Sequence, residues 1–192
     1  MEVELHEILY LEYCNDKTVS FNRIEKAGIN CPMYGIGSTP SCAEPQNEMS
    51  KLTEIHPGNY VFYDYQQYWL GSCSLEDIAC TVATRVIGHY PHRNQLLIDC
   101  GFTALTKQGM GVLPSGCAIF KDHPELKLID MTQEIGKVST VYDTELNYAN
   151  YAIGSMLFIY PYHSCATAAQ HPKYLVVKDA IVKDEWIPCR GW

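Results

Sequence analysis

A histidine and a cysteine two residues apart, His163 and Cys165, are the residues of this chain best suited to chemistry. They sit in Tyr160-Pro-Tyr-His-Ser-Cys165, directly after the apolar run Met156-Leu-Phe-Ile159. In an extended strand, side chains two apart project to one face. The spacing therefore predicts an imidazole and a thiol side by side. Zinc accepts both, nitrogen at roughly 2.0 Å and thiolate sulfur at roughly 2.3 Å. Two protein ligands leave positions open for a reactant, which suits chemistry better than a structural site. The same spacing also fits an ordinary buried pair, and the pattern alone does not separate the two.

The elements that must hold this pair read as mainly β. Asn59–Tyr65, Ile78–Ile87, Gln95–Asp99, Lys127–Met131, Ser155–Tyr160 and Tyr174–Val182 have the alternation or β-branched content of strands. Ser74-Leu-Glu-Asp77 has the form of a capping box and argues for a helix start just before the second of these. Residues 1–30 read as helical, with Glu4, Glu7 and Glu12 interleaved with Leu5, Ile8, Leu9 and Leu11. A second short helix fits Ser20–Ala27, with Gly28 as its stop. Cys31–Ile36 follows as a short apolar strand, and Ser41–Lys51 reads as a polar loop. The chain thus divides into an α/β segment, 1–52, and a β domain, 53–192, an α+β arrangement overall. One or two helices and one strand cannot close a barrel or cover a parallel sheet. The first segment is therefore expected to be part of a larger architecture.

Composition excludes several function classes. The net charge is −8, with Lys and Arg scattered singly, so no basic stripe offers a nucleic-acid surface. No apolar stretch approaches the ~20 residues that cross a bilayer. The acidic start, Met1-Glu-Val-Glu-Leu-His-Glu7, lacks the basic opening of a secretory signal. Nine cysteines, an odd number without a C-x-x-C pair, fit free thiols in a reducing, cytoplasmic setting. Cys14, Cys31, Cys80, Cys100 and Cys117 are expected as small core residues.

Other segments carry weaker signals. Gly37-Ser38-Thr39 follows a strand, and its backbone N–H groups and hydroxyls suit a phosphate as well as a plain turn before Pro40. Asp99-Cys100-Gly101 ends a strand, where a carboxylate satisfies backbone donors. Tyr60 and Asp64 flank an aromatic segment that also fits simple packing. His89 and His92 have no acidic or thiol companion and read as loop residues.

Five segments, in order, resemble the C-terminal half of eukaryotic-type D-serine dehydratases, and D-threonine aldolases are similar. They are Gly37-Ser-Thr-Pro-Ser41; Pro57-Gly-Asn-Tyr-Val-Phe-Tyr-Asp64; Leu97-Ile-Asp-Cys-Gly101 with Ala104-Leu-Thr106; Gln133-Glu134; and Tyr160-Pro-Tyr-His-Ser-Cys-Ala-Thr-Ala-Ala169. The resemblance implies the C-terminal β domain of a fold-type III pyridoxal phosphate enzyme, preceded by a remnant of a (β/α)8 barrel. It implies zinc on His163 and Cys165, the cofactor phosphate at Gly37, Ser38 and Thr39, and Tyr60 and His163 near the substrate. The implied substrate is D-serine or a related D-3-hydroxy amino acid, converted for D-serine to pyruvate and ammonia. The full-length form is implied to be a homodimer.

Two departures stand out. The family's Schiff-base lysine lies upstream of the matched part, and none of the ten lysines here occupies its position. Ile135 stands where the family pattern generally has His. The expectation is a metal-bearing portion of the lyase that is inactive alone. The alternative is a non-catalytic truncated paralog acting as a binding or interaction domain.

Overall fold

The computed structural model describes residues 23–24, 26–45, 49–50, 52–142 and 144–189. The helix expected within 1–30 falls mostly outside the described residues. Its end does not: the N–H groups of Ala27 and Ile29 reach back to the carbonyls of Arg23 and Ile24, and Gly28 has φ +75°. That is the left-handed stop the glycine predicts. The described chain forms two compact units, one reaching residue 63 and including 67–77, the other comprising 64–66 and 78 onward.

The first unit holds a two-residue parallel pair, β1 (Gly35–Ile36) with β2 (Glu54–Ile55). Gly37 and Ser38 follow β1 and lead into α1 (Thr39–Ala43). Here the expected polar loop is instead partly helical. Ser38 caps the turn, its Oγ accepting the Ser41 N–H at 3.5 Å, and Pro40 sits in the first turn, where a missing N–H costs nothing.

The strand expected at Asn59–Tyr65 does not form. Asn59–Val61 is a 3-10 turn, and Tyr65–Trp69 is a helix, α2. The Asn59 N–H donates to Thr39 Oγ1 at 3.1 Å, while the Phe62 and Tyr63 N–H groups both donate to the Asn59 carbonyl. Tyr63 then adopts φ +53°, which ends any extended run. Alternating aromatics make a strand only where a ladder takes up their backbone donors, and here those donors are used locally.

The second unit is built on a six-stranded antiparallel sheet: β3 (Val82–Tyr90), β4 (Gln95–Ile98), β5 (Ala118–Phe120), β6 (Leu126–Met131), β7 (Gly136–Thr140) and β8 (Met156–Pro161), in the order β5-β8-β3-β4-β7-β6. β3 is the hinge of this sheet. Its first half pairs with β8 and its second half with β4, and a bulge between Val86 and Gly88 turns the strand from one partner to the other. The Ser74–Asp77 cap is also present: Asp77 Oδ2 accepts from the Ser74 N–H at 2.8 Å and its hydroxyl at 2.7 Å. The cap begins only a 3-10 turn, and the strand starts at Val82, four residues later than Ile78. Asp99 closes the bulge region, its Oδ1 accepting from the Arg85 N–H at 2.6 Å and the Thr84 hydroxyl at 2.7 Å.

The ends of the sheet approach one another. Gly116, just before β5, bridges Leu128 of β6, and the Leu128 N–H donates to the Ser115 carbonyl at 3.1 Å. The curled sheet encloses one core that includes Val86, Leu96, Ile98, Phe120, Leu128 and Ile159. Along β8, Leu157 and Ile159 point inward while Met156 and Phe158 face out, the period-two pattern the sequence displays. Cys100 and Cys117 lie in this core as expected, and burial pushes their thiols up to about 12 and about 11. Cys31 and Cys80 are only partly buried. All eight described cysteines are free.

The stretch expected as one strand at Tyr174–Val182 is a hairpin, β9 (Tyr174–Lys178) with β10 (Ile181–Trp186). Asp179 and Ala180 take φ +53° and +58°, the two left-handed residues of a primed turn. Without the Asn-Gly or Asp-Gly that marks such turns, the sequence conceals the reversal. No described helix is long and apolar enough to cross a membrane.

Two consequences are measurable. Gly116 has φ +88°, and an added Cβ would lie 2.0 Å from the Leu128 carbonyl oxygen. Gly116→Ala is therefore expected to cost about 3 kcal/mol or more in urea unfolding, because neither backbone can retreat without opening the curled sheet. Lys137 first, then the Met131 N–H and Lys107, hold the Asp130 carboxyl down to about 2 from 3.8. A depressed carboxyl stabilises the fold above its unfolded pKa and loses that contribution as pH falls through the folded one. The half-exposed Asp130 should contribute at most about 1 kcal/mol, lost between pH 3.8 and about 2. Asp130→Asn should remove the corresponding slope from a plot of unfolding midpoint against pH.

Candidate metal centre

β8 ends at Pro161, and the chain turns within three residues into α3 (Ser164–Ala168). His163 is the N-cap of that helix, with extended φ −130° and ψ 103°, and Cys165 is its second residue. The pair is thus presented by the first turn of a helix rather than by one strand face. The reason is where the backbone donors go. The Thr167 N–H donates to the His163 carbonyl at 3.1 Å, and the Ser164 N–H donates to Asp64 Oδ2 at 2.7 Å. With no ladder partner beyond Pro161 and a carboxylate waiting for the first helical N–H, the chain coils.

The anchor is the segment Asp64–Gln66, which belongs to the same compact unit as β8 and α3. Three bonds join it to three consecutive residues. The Gln66 N–H donates to the Tyr162 carbonyl at 3.1 Å, Gln66 Oε1 lies 3.1 Å from His163 Nδ1, and Asp64 holds Ser164. Asp64 and Ser164 are both fully buried, so each group relies on protein partners instead of water. Residue-level reading of the sequence identified Asp64 only as a polar tip and missed Gln66. Asp64 lies 100 positions from Ser164, and Gln66 lies 97 from His163. The one local signal was a run of polar side chains, Asp64, Gln66 and Gln67, inside an otherwise aromatic segment.

His163 is half-buried and Cys165 is exposed. Desolvation raises the Cys165 thiol above its ordinary value, and the Asp64 carboxylate raises it further, against hydrogen bonds from Ser164 and the main chain. The same two influences raise Cys80, up to about 12, with Cys165 adding to the effect. Tyr162 is raised first by burial and then by Asp64, while a hydrogen bond from the Gln66 side chain opposes the rise. The Tyr162 ring lies against Gly109, where a Cβ would come within 2.5 Å of it. An imidazole with a directed second nitrogen and an accessible thiol on one turn form a donor set that suits zinc. Among the described residues no group of three or more His, Cys, Asp and Glu is arranged to hold a metal. Any ion on this pair would therefore keep open positions.

The remaining site candidates lie elsewhere in the chain. Gly37, Ser38 and Thr39 are in the first unit, after the C-terminal end of a parallel strand. Ser38 Oγ and Thr39 Oγ1 both accept backbone N–H groups, and a hydroxyl in that role can still donate to an anion. Tyr60 is also in the first unit, on the 3-10 turn, with 54% of its surface exposed. Within the second unit, Gly101 and the Gln133-Glu134 turn are packed together. A Cβ on Gly101 would lie 2.2 Å from the Gln133 oxygen, and Thr103 bonds the same carbonyl. Ile135 is half-buried in that turn. His89 lies on β3, paired with Leu96 of β4, and not in the expected loop; its Nε2 is 2.6 Å from the Tyr151 carbonyl and its ring is tilted against Tyr148, as in a structural residue.

Comparison with known proteins gives a consistent answer. Residues 79–177 match the family described as "Putative serine dehydratase domain". D-serine dehydratase of Dictyostelium discoideum is 35% identical over 181 residues, 88% of this chain and 46% of that protein. The structure of D-threo-3-hydroxyaspartate dehydratase from Delftia sp. HT23 superposes with a TM-score of 0.77 at 26% identity, covering 100% of this chain and 53% of that one. A cysteine-to-alanine variant of D-threo-3-hydroxyaspartate dehydratase, solved in a metal-free form, gives 0.71 at 27% identity, covering 88% of this chain and 47% of that one. The chain spans about half the length of the curated relatives it matches.

The anchor is testable without any ligand. Asp64→Ala would leave the buried Ser164 N–H without its acceptor. It should lower the unfolding free energy by about 1–3 kcal/mol, read from urea denaturation. Asp64→Asn, which keeps an acceptor oxygen, should cost less.

Proposed function

We propose, for a chain that belongs to the serine dehydratase domain family, that it is the metal-bearing β portion of a D-serine dehydratase-like lyase. Its β-rich fold is that of the C-terminal domains of fold-type III pyridoxal phosphate enzymes. The reaction class is β-elimination from a D-3-hydroxy amino acid, with D-serine giving pyruvate and ammonia. The observation that carries the reading is the anchored turn, which offers an imidazole and a thiol from neighbouring helix positions.

In this reading His163 and Cys165 would hold zinc and leave coordination positions open. A zinc ion there supplies Lewis acidity toward the substrate's β-hydroxyl. The family's pyridoxal phosphate supplies the electron sink for α-carbon chemistry when it is bound. Gly37, Ser38 and Thr39 donate N–H and O–H groups to its phosphate. By the family resemblance Tyr60 matches a position expected near the amino acid, and His163 would contribute to substrate binding as a metal ligand. The segments 1–52 and 53–192 are then a partial barrel segment and the β domain that carries the metal. None of the ten lysines matches the family's Schiff-base position, so this chain alone is expected not to turn over D-serine.

A second reading, an interaction domain without catalysis, rests on the β9–β10 hairpin. Leu175, Val177, Ile181, Val182 and Trp186 are each more than half exposed there. Apolar surface of this kind is kept where another surface covers it.

Metal content and activity measured on the same samples separate these readings. The proposal expects near-stoichiometric zinc in the 192-residue chain, lost in His163→Ala and Cys165→Ala, with no pyruvate formed from D-serine. Zinc missing from the unaltered chain would remove the metal centre and favour the interaction domain. Pyruvate formation would overturn the argument from the lysine.

A further inference from the structure

We propose that Gln66 is a positioning residue for His163, holding its imidazole as the Nδ1–H tautomer so that Nε2 carries the lone pair offered to the metal. The inference rests on the metal reading of His163 and Cys165 and adds to it the residue that decides which imidazole nitrogen is the ligand.

The geometry is specific. Gln66 Oε1 lies 3.1 Å from His163 Nδ1. An amide oxygen only accepts, so this contact requires a proton on Nδ1, which in the neutral imidazole leaves Nε2 unprotonated. The opposite amide orientation would place an NH2 group against Nδ1 and move the proton to Nε2, which would block ligation there. The structure places the amide oxygen, not the amide nitrogen, against Nδ1. Gln66 cannot drift from this place. Its own N–H is committed to the Tyr162 carbonyl at 3.1 Å, and Asp64, two residues earlier, grips the Ser164 N–H at 2.7 Å. One strap therefore fixes the tautomer of His163 and the first turn of the helix that carries Cys165. Metal-ligating histidines characteristically spend their second nitrogen on such a partner, and losing it typically weakens metal binding 10–100-fold.

The test uses two variants and two readouts. Gln66→Met matches the side chain's length without the acceptor, and Gln66→Glu keeps an acceptor oxygen. Nitrogen NMR of the imidazole in the metal-free chain reports the tautomer directly. Cobalt(II) affinity is read from the thiolate-to-metal absorption band under competition with a chelator. The expected result is Nδ1–H for His163 in the unaltered chain and in Gln66→Glu, with Nε2–H taking over in Gln66→Met. Cobalt affinity should fall about 10–100-fold in Gln66→Met and be largely retained in Gln66→Glu. An Nε2–H tautomer in the unaltered chain overturns the inference, whether or not Gln66→Met folds. So does a folded Gln66→Met with unchanged tautomer and affinity. An unaltered chain that shows the Nδ1–H tautomer but takes up no cobalt overturns instead the metal reading beneath it.

Discussion

The N–H of Ser164 begins a helix, and no carbonyl within that helix can accept it. Asp64 supplies the missing acceptor from a distant part of the chain, in a place that water does not reach. That one bond converts the end of β8 from an extended strand into a turn. Once the turn is made, His163 becomes an N-cap and Cys165 a first-turn residue, and Gln66 is brought against the imidazole. The chemistry of the site thus depends on a carboxylate that fixes the residue between the two proposed ligands and raises the Cys165 thiol through its charge. A thiol held protonated in this way must release a proton to bind a metal, which couples metal affinity to pH.

The sheet beneath the site provides the rigidity that such an arrangement needs. β8 lies between β5 and β3, so the strand that delivers the turn is paired on both sides. The bulge in β3 lets one strand serve two partners, and the Gly116–Leu128 bridge joins the curled ends. A turn at the end of a strand paired on both sides moves far less than one on a free loop, and precise placement is what the proposed two-ligand centre would lack from coordination number alone. The hairpin β9–β10 contrasts with this. Its side chains are largely exposed, so its apolar residues contribute little to the core that supports the turn.

Family membership and local physics point in the same direction from different evidence. The family match rests on residues 79–177 and includes His163 and Cys165, whereas Asp64 and Gln66 fall outside it. The strap is therefore visible through the tertiary structure, not through the matched segment. The described part of the first unit holds the glycine, serine and threonine of the phosphate reading at the end of a parallel strand, the position from which such loops commonly work.

Much of the β domain was legible in the residues themselves. The alternation of Leu157 and Ile159 with Met156 and Phe158, the β-branched run from Val82, and the strands at Gln95 and Leu126 follow from one buried face recurring every second residue. β5 and β7 were not read as strands, because three- and five-residue elements are too short for a clear period. The aromatic run at Asn59–Tyr65 displayed the pattern of a strand and became a turn and a helix start, since Thr39 and the Asn59 carbonyl captured its backbone donors. His163 and Cys165 were identifiable from residue type and spacing, but their supposed strand face was not what holds them. The identity of donors and acceptors is written in the sequence. Which of them meet across 97 and 100 residues is decided only when the chain closes, because burial removes water as the competing partner.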